Sequence, residues 1–493
     1  YRAYWREGTQ FALRNGSPVV AYEIFNEPAY DDPGPYNRKL FQKFLREKYG
    51  DIERLNAVYR AAYPSFEKAA AFRHKAENPA LFVDWSKFME HSFVELCRLG
   101  RDTITELDPD ARVTLQSLGR NSYRVLPQSN VNLYEISKVL NAVTTPTGGS
   151  AKVSGLLTAP ARESVATPDS GRGEGFLSRH FLRAIADGKP IHNSEAYTGK
   201  NGRETFYTIW RDLLLGSNAT YLFEWSKRAW DFHPAGSAEG GRKVAERYPW
   251  MILNPYAYAP AELTSFLKAK EEIFRFAEFF VPRERNIPRE VALLISFPSE
   301  RYGVATGRVA KNDIATFASA LEFSHYPIDV ILEEQLPENR ASRYRMILAA
   351  GVSNTYPATV GKLREFVEAG GILLLTREFM QEDEYGNPNR AWGDLFSLEY
   401  RDAPETLPRE IELDIPQAKL LPGRIVGRNV REILAAPGWE KLAASGPHPV
   451  LLRRPLGKGF LYLLTATMQD YAAAAIVGGI LQHHGIQPAA ELN

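Results

Sequence analysis

A chain of 493 residues is too long for one ordinary domain, so two or three are expected. Its 60 Lys plus Arg stand against 59 Asp plus Glu, a net of +1, which gives no electrostatic reason to expect nucleic acid or a membrane surface as partner. A single cysteine, Cys97, excludes an intrachain disulfide and a Cys-rich zinc site, and no apolar run approaches the ~20 residues of a membrane span.

Residues 1–280 alternate helical and strand patterns, as a parallel α/β architecture does. The first strand candidate, PVVAYEIF (18–25), runs into Asn26-Glu27-Pro28. A helix follows over 36–49, with Gly50 as its stop, and Asp51 caps a second short helix. A long amphipathic helix spans about 81–107 and carries Cys97, which reads there as a small buried hydrophobe. The strand RVTLQS, a helix near 133–139 and the strand LNAVTTP come next. Residues 147–175 are rich in Gly, Ser, Thr and Pro and read as a long loop. A helix at 176–186, the strand KPIHNSE, a helix at 204–215, the strand NATYLFEW and a helix at 261–280 complete this part. The strand candidates are therefore 18–25, 112–117, 140–145, 189–195 and 219–225.

The polar, proline-bearing stretch 281–290 reads as a linker. After it the alternation restarts with VALLISF, a helix at 313–323, IDVI and RYRMILAAG. A helix at 358–368 leads through Gly370-Gly371 to ILLLT, and later strands and a closing helix finish a second α/β domain over 291–493.

Hydrolysis of a glycoside with retention needs two carboxyl groups ~5–5.5 Å apart, one protonated and one ionised. In a (β/α)8 TIM barrel such groups project from the C-terminal ends of strands. Glu27 and Glu195 both lie where a hydrophobic strand gives way to a polar loop. Asn26 can contact a sugar 2-hydroxyl, and Asn193, Ser194 and Tyr197 are polar neighbours able to hold Glu195 ionised and oriented. Trp225 and Trp230 offer aromatic faces for a sugar ring. His192 and His233 read as packed side chains at least as well as ligands, and His483-His484 has no matching carboxylate or cysteine pattern, so neither a metal nor a cofactor is expected. GRGEG (171–175) lacks the strand-to-helix setting of a dinucleotide motif, and GKG (457–459) lacks the rest of a phosphate-binding loop.

YEIFNEP resembles the fourth-strand acid/base motif of the glycoside hydrolase clan that places two glutamates on strands four and seven of a TIM barrel. FQKFLREKYGDIERLNAVYRAAYPSFE resembles the region after the acid/base in glycoside hydrolase family 42, the β-galactosidases. LLLGSNATYLFEWSKRAWDF is similar to that family's eighth strand and following loop. YRMILAAG and LREFVEAGGILLLT are similar to its middle domain, of glutamine-amidotransferase-like fold. The resemblance implies Glu27 as acid/base, Asn26 as the 2-hydroxyl contact, Glu195 as nucleophile and Trp225 as an aromatic wall. It also implies a homo-oligomer, with a trimer as its form. The sequence departs from the family in lacking the first three strands and their arginine, in showing no tyrosine in AVTTPTGG to contact the nucleophile, and in lacking the cysteine zinc cluster.

The expectation is a retaining β-galactosidase-like enzyme with only strands 4–8 of its barrel present, unable to close the barrel by itself. The alternatives are action on β-glucosides, β-mannosides or a polysaccharide, or a catalytically silent glycan-binding protein. The second domain has no cysteine and so no thiol glutaminase nucleophile. The chain opens at Tyr1 rather than Met, which leaves the compartment undetermined, with the cytoplasm as default.

Overall fold

The structure, a computed structural model, describes residues 1–16, 19–71, 77–117, 129–145, 172–196, 202–222, 260–280, 288–307, 313–396, 398–402, 410–411, 425–426, 431–445, 448–466 and 470–489. Among them, β1 (Tyr22–Asn26), β2 (Val113–Gln116), β3 (Val143–Thr145), β4 (Ile191–Ala196) and β5 (Ala219–Leu222) form a parallel sheet in the order β1-β2-β3-β4-β5. The strands differ from the hydrophobic runs at their beginnings. Val19 and Val20 are 40% and 58% exposed and precede β1, which has a neighbour on one side only among the described residues. Leu140 still belongs to the preceding helical turn, and the Asn141 side chain donates to the Ala111 carbonyl at 2.7 Å and accepts from the Val113 amide. That contact secures the start of β2 and delays β3 to Val143.

Helices cover the outer face of this sheet. Helix α1 (Arg2–Arg14) buries Trp5. Helices α2 (Pro35–Tyr49), α3 (Ile52–Tyr59) and α4 (Phe66–Ala70) make an excursion after β1 with its own core of Phe41, Leu45, Leu55 and Met89. Asp51 caps α3 by accepting from the Arg54 amide at 2.8 Å, and Gly50 takes the positive φ of 77° that ends α2. The 27-residue α5 (Pro79–Thr105) starts at Asn78, whose side chain accepts from the Leu81 amide at 3.0 Å, with Pro79 at its first position. Cys97 is fully buried on it and burial pushes its thiol up to about 12, so it is an unreactive packing residue.

One sequence expectation is corrected at the segment 171–175. Residues 172–175 are not a loop, because the helix Arg172–Ala186 already includes them. Leu177, Phe181, Leu182 and Ile185 of that helix are buried in the main core. Such packing outweighs the cost of about 1 kcal/mol that each glycine brings to a helix.

The second sheet comprises β6 (Val291–Ile295), β7 (Ile328–Leu332), β8 (Met346–Ala349), β9 (Ile372–Thr376), β10 (Glu440–Ser445), β11 (His448–Leu456) and β12 (Gly459–Leu464). Its order is β10-β11-β12-β9-β8-β6-β7, parallel from β12 to β7 and antiparallel over β10-β11-β12. Every residue of β6, β8 and β9 is buried, as expected of parallel strands covered on both faces. β6 stops short of Phe297 because Ser296 caps the next helix, Phe297–Thr306. GKG is the turn of the β11–β12 hairpin. A Cβ on Gly459 would meet the Gly371 and Val367 carbonyls at 2.1 and 2.3 Å, so its glycine serves a close backbone approach, not a phosphate. The main hydrophobic core is continuous from β2 and β3, through the helix Arg172–Ala186, to β6 and β8. No described helix is long and apolar enough to cross a membrane.

Candidate active site

Side chains alternate across the first sheet. Val113, Leu115, Val143 and Ile191 turn outward into the helix-covered core. Thr114 and Thr144 meet through their hydroxyls, and Thr144 lies in register with His192, so these residues share the concave face. Gln116, two residues after Thr114, follows on that face.

Each strand bearing a candidate carboxylate carries one surplus residue. From Glu23 to Asn26, β1 takes three steps where β2 takes two, from Thr114 to Gln116. From Asn193 to Ala196, β4 takes three steps where β5 takes two, from Thr220 to Leu222. A one-residue offset flips every later side chain to the other face. On β1 the surplus lets Ile24 and Phe25 both pack outward, Phe25 with its ring 5.2 Å from that of Phe93 on α5. On β4, Asn193 points outward and donates to Asp212 at 2.6 Å, and strict alternation would send Glu195 the same way. The offset instead brings Glu195 to the concave face.

There the side-chain amide of Gln116 donates to Glu195 Oε1 at 2.6 Å. β3 lies between their strands, so the contact closes only because the sheet curves and its inner side chains converge. The Gln116 carbonyl accepts the Glu27 amide at 2.8 Å, and Glu27 itself has a left-handed φ of 46°. Such a conformation in a non-glycine residue is strained and is concentrated at functional sites. Desolvation, and then the charge of Glu195, push the Glu23 carboxyl above the usual range. A second carboxylate therefore shares the field of Glu195.

Behind the sheet, buried Asp212 accepts from Asn193 at 2.6 Å and from Thr220 at 3.1 Å, and pairs with buried Arg179. Burial lowers the Arg179 guanidinium to about 10 despite Asp212. Asn193, expected among the polar neighbours of Glu195, anchors β4 from the helix side. Gln116, which sequence reasoning passed over, makes the direct contact. Its only sequence signal is a polar residue at the end of the strand RVTLQS.

Asn26 ends β1, exposed and in register with Gln116. Tyr197, Trp225, Trp230 and His233 lie outside the described residues. His192 is buried with its ring 5.9 Å from that of Tyr221. His483 and His484 contact each other, Arg453 and Tyr462. Among the described residues no group of three or more His, Cys, Asp or Glu could hold a metal.

A family model, that of the glycoside hydrolase family 42 β-galactosidases, matches residues 9–201. The chain is 20% identical over 486 residues to the β-galactosidase BglY of Alicyclobacillus acidocaldarius, covering 92% of this chain and 65% of that protein. It is 33% identical over 118 residues to the β-galactosidase Bga of Halorubrum lacusprofundi, covering 22% of this chain and 16% of that protein. The chain thus spans less than two thirds of the length of either relative. The crystal structure of a β-galactosidase from Bacillus circulans sp. alkalophilus superposes with a TM-score of 0.76 at 16% identity, over 100% of this chain and 73% of that one. This likeness gives the fold, an α/β architecture of the TIM-barrel type. Over residues 9–201 the chain is similar to glycoside hydrolase family 42.

Proposed function

We propose that this protein is a retaining β-glycoside hydrolase of β-galactosidase-like specificity, with Glu195 as nucleophile and Glu27 as acid/base. The observation that carries this reading is the double contact of Gln116, whose amide holds the Glu195 carboxylate and whose carbonyl holds the main chain of Glu27. In the first step a Glu195 oxygen attacks the anomeric carbon. The bond to the leaving oxygen breaks, and that oxygen takes the proton of Glu27. In the second, water attacks the glycosyl-enzyme ester, gives its proton to Glu27 and frees Glu195. The hydrogen bond from Gln116 holds the Glu195 carboxylate in place for that attack. Asn26 is the proposed 2-hydroxyl contact, and Trp225, Trp230 and Tyr197 the proposed sugar-facing rings. The two carboxyl groups are expected ~5–5.5 Å apart.

The proposed division is a catalytic barrel portion over 1–280, a linker at 281–290 and a non-catalytic amidotransferase-like domain over 291–493 that serves assembly of a homo-oligomer. Carbohydrate is the proposed partner.

The test uses the full-length protein. With a β-galactosyl substrate, azide should restore turnover to Glu195→Ala by forming the α-azide, and to Glu27→Ala by forming the β-azide. Interchanged azide products would reverse the two roles. Turnover on a nitrophenyl β-glycoside panel favouring glucoside or mannoside would move the specificity within the clan. No turnover on any of them would leave a silent glycan-binding protein.

A further inference from the structure

In the second sheet the chain passes from β6 to β7 on one side and then to β8 on the other, so the strand order reverses between β6 and β8. In open α/β sheets, ligands bind in the crevice beyond the strand ends at such a point. Here hydrogen bonds span it. Ser296 and Ser299 donate to the Asn354 carbonyl at 2.8 and 2.7 Å, and the Ser353 and Asn354 amides donate to the Ser299 hydroxyl at 3.1 and 3.0 Å. The helix Phe297–Thr306, stapled in this way, sends Arg301 into the first half of the molecule.

Arg301 grips Glu90 of α5 with both arms, Nε to Oε1 at 2.7 Å and Nη2 to Oε2 at 2.6 Å. Its third nitrogen donates to the Tyr356 hydroxyl at 3.1 Å, which donates to Glu334 at 2.9 Å. Glu90 also accepts from Asn132 at 2.9 Å. One turn before it on α5, the Ser86 hydroxyl lies 3.3 Å from Glu90 Oε1 and donates to Asn130 Oδ1 at 2.7 Å. The Asn130 amide then donates to the Tyr30 carbonyl at 2.9 Å, while the Tyr30 N–H donates to the Ser129 carbonyl at 2.8 Å. Ser86, Glu90, Asn130, Asn132 and Arg301 are each no more than 5% exposed. Tyr30 is three residues after Glu27, across the stiff Pro28.

We propose that the second half of the chain positions the acid/base loop, through Arg301, Glu90, Ser86 and Asn130, so that Arg301 is a positioning residue for proton transfer by Glu27. This rests on the assignment of Glu27 above. A buried ion pair is seldom the most stabilising filling for an interior, and what it fixes well is geometry. The geometry fixed here is the main chain on the far side of Pro28. Misplacing a catalytic group by an ångström can cost on the order of 100-fold. The loss should fall on the step that needs the proton, not on attack by Glu195.

The experiment compares phenyl β-galactoside, which needs protonation of its leaving group, with 2,4-dinitrophenyl β-galactoside, which does not. In the full-length protein, Arg301→Met should lower kcat/KM for the phenyl substrate by roughly 10- to 100-fold. The dinitrophenyl substrate should lose no more than about 3-fold. Should Arg301→Met fail to fold, Asn130→Gly cuts the same path and relaxes a backbone whose φ is 53°. It should show the same selectivity between leaving groups. Glu27→Ala sets the scale of that selectivity. Equal losses on both substrates, or none, with Glu27→Ala selective, would overturn the positioning role. A Glu27→Ala enzyme without selectivity would overturn the acid/base assignment, and this inference with it.

Discussion

Gln116 and Glu195 are joined by a 2.6 Å hydrogen bond that reaches past the strand between them. A hydrogen bond to a charged group contributes about 1.5–3 kcal/mol. Gln116→Met keeps the length of the side chain and removes the donor. The expected loss in kcat/KM is therefore roughly 10- to 100-fold. A loss below about 3-fold would count against the role of this contact.

Glu23 lies on the same face, its carboxyl pushed up by desolvation and then by the charge of Glu195. Glu195→Gln removes that charge, so the Glu23 carboxyl, followed by carbon-13 NMR, should titrate lower than in the parent. An unchanged Glu23 titration would contradict the arrangement.

Stability should carry a pH signature from Glu333, which is buried with its carboxyl pushed up to about 8. Between the ordinary glutamate value and about 8, the folded protein holds a proton here that the unfolded chain has released. The contribution is thus fully present at low pH and is lost as pH rises through about 8. Urea midpoints should fall from pH 5 to pH 8.5 in the parent and fall less in Glu333→Gln. The variant should gain on the order of a few kcal/mol at the upper end. Parallel pH dependences would exclude a buried, protonated Glu333.

The Arg179–Asp212 pair should be costly to break from one side. Arg179→Met leaves a buried carboxylate without its ion-pair partner, at a cost of about 3–5 kcal/mol. Because Asn193 leans on Asp212, activity should fall at temperatures where the variant is still folded. A urea denaturation shift below about 1 kcal/mol would show that the pair is not truly desolvated.

The architecture was legible where a local signal suffices. Asp51 and Asn78 announce helix starts, Gly50 a helix stop, and the all-apolar VALLI and ILLLT announce buried parallel strands. Glu27 and Glu195 were legible as carboxylates at strand ends. The residues that support them were not. Gln116 matters because of sheet curvature, which no window of sequence encodes. Asn193 looked like a neighbour of Glu195, yet alternation turns it to the opposite face. Arg301 and Glu90 meet 211 positions apart, and neither carries a local sign of the other.

The surplus residues on β1 and β4 set a length requirement that is separate from the requirement for glutamate. Deleting one residue between Glu23 and Asn26, or between Asn193 and Glu195, would leave both motifs recognisable while swinging Asn26 or Glu195 behind the sheet. Such a protein would keep its family likeness and lose its chemistry, a pseudoenzyme by arithmetic. Counting residues against Thr114 and Thr220, the partners across the sheet, is thus a way to sort working relatives from silent ones that motif letters do not offer.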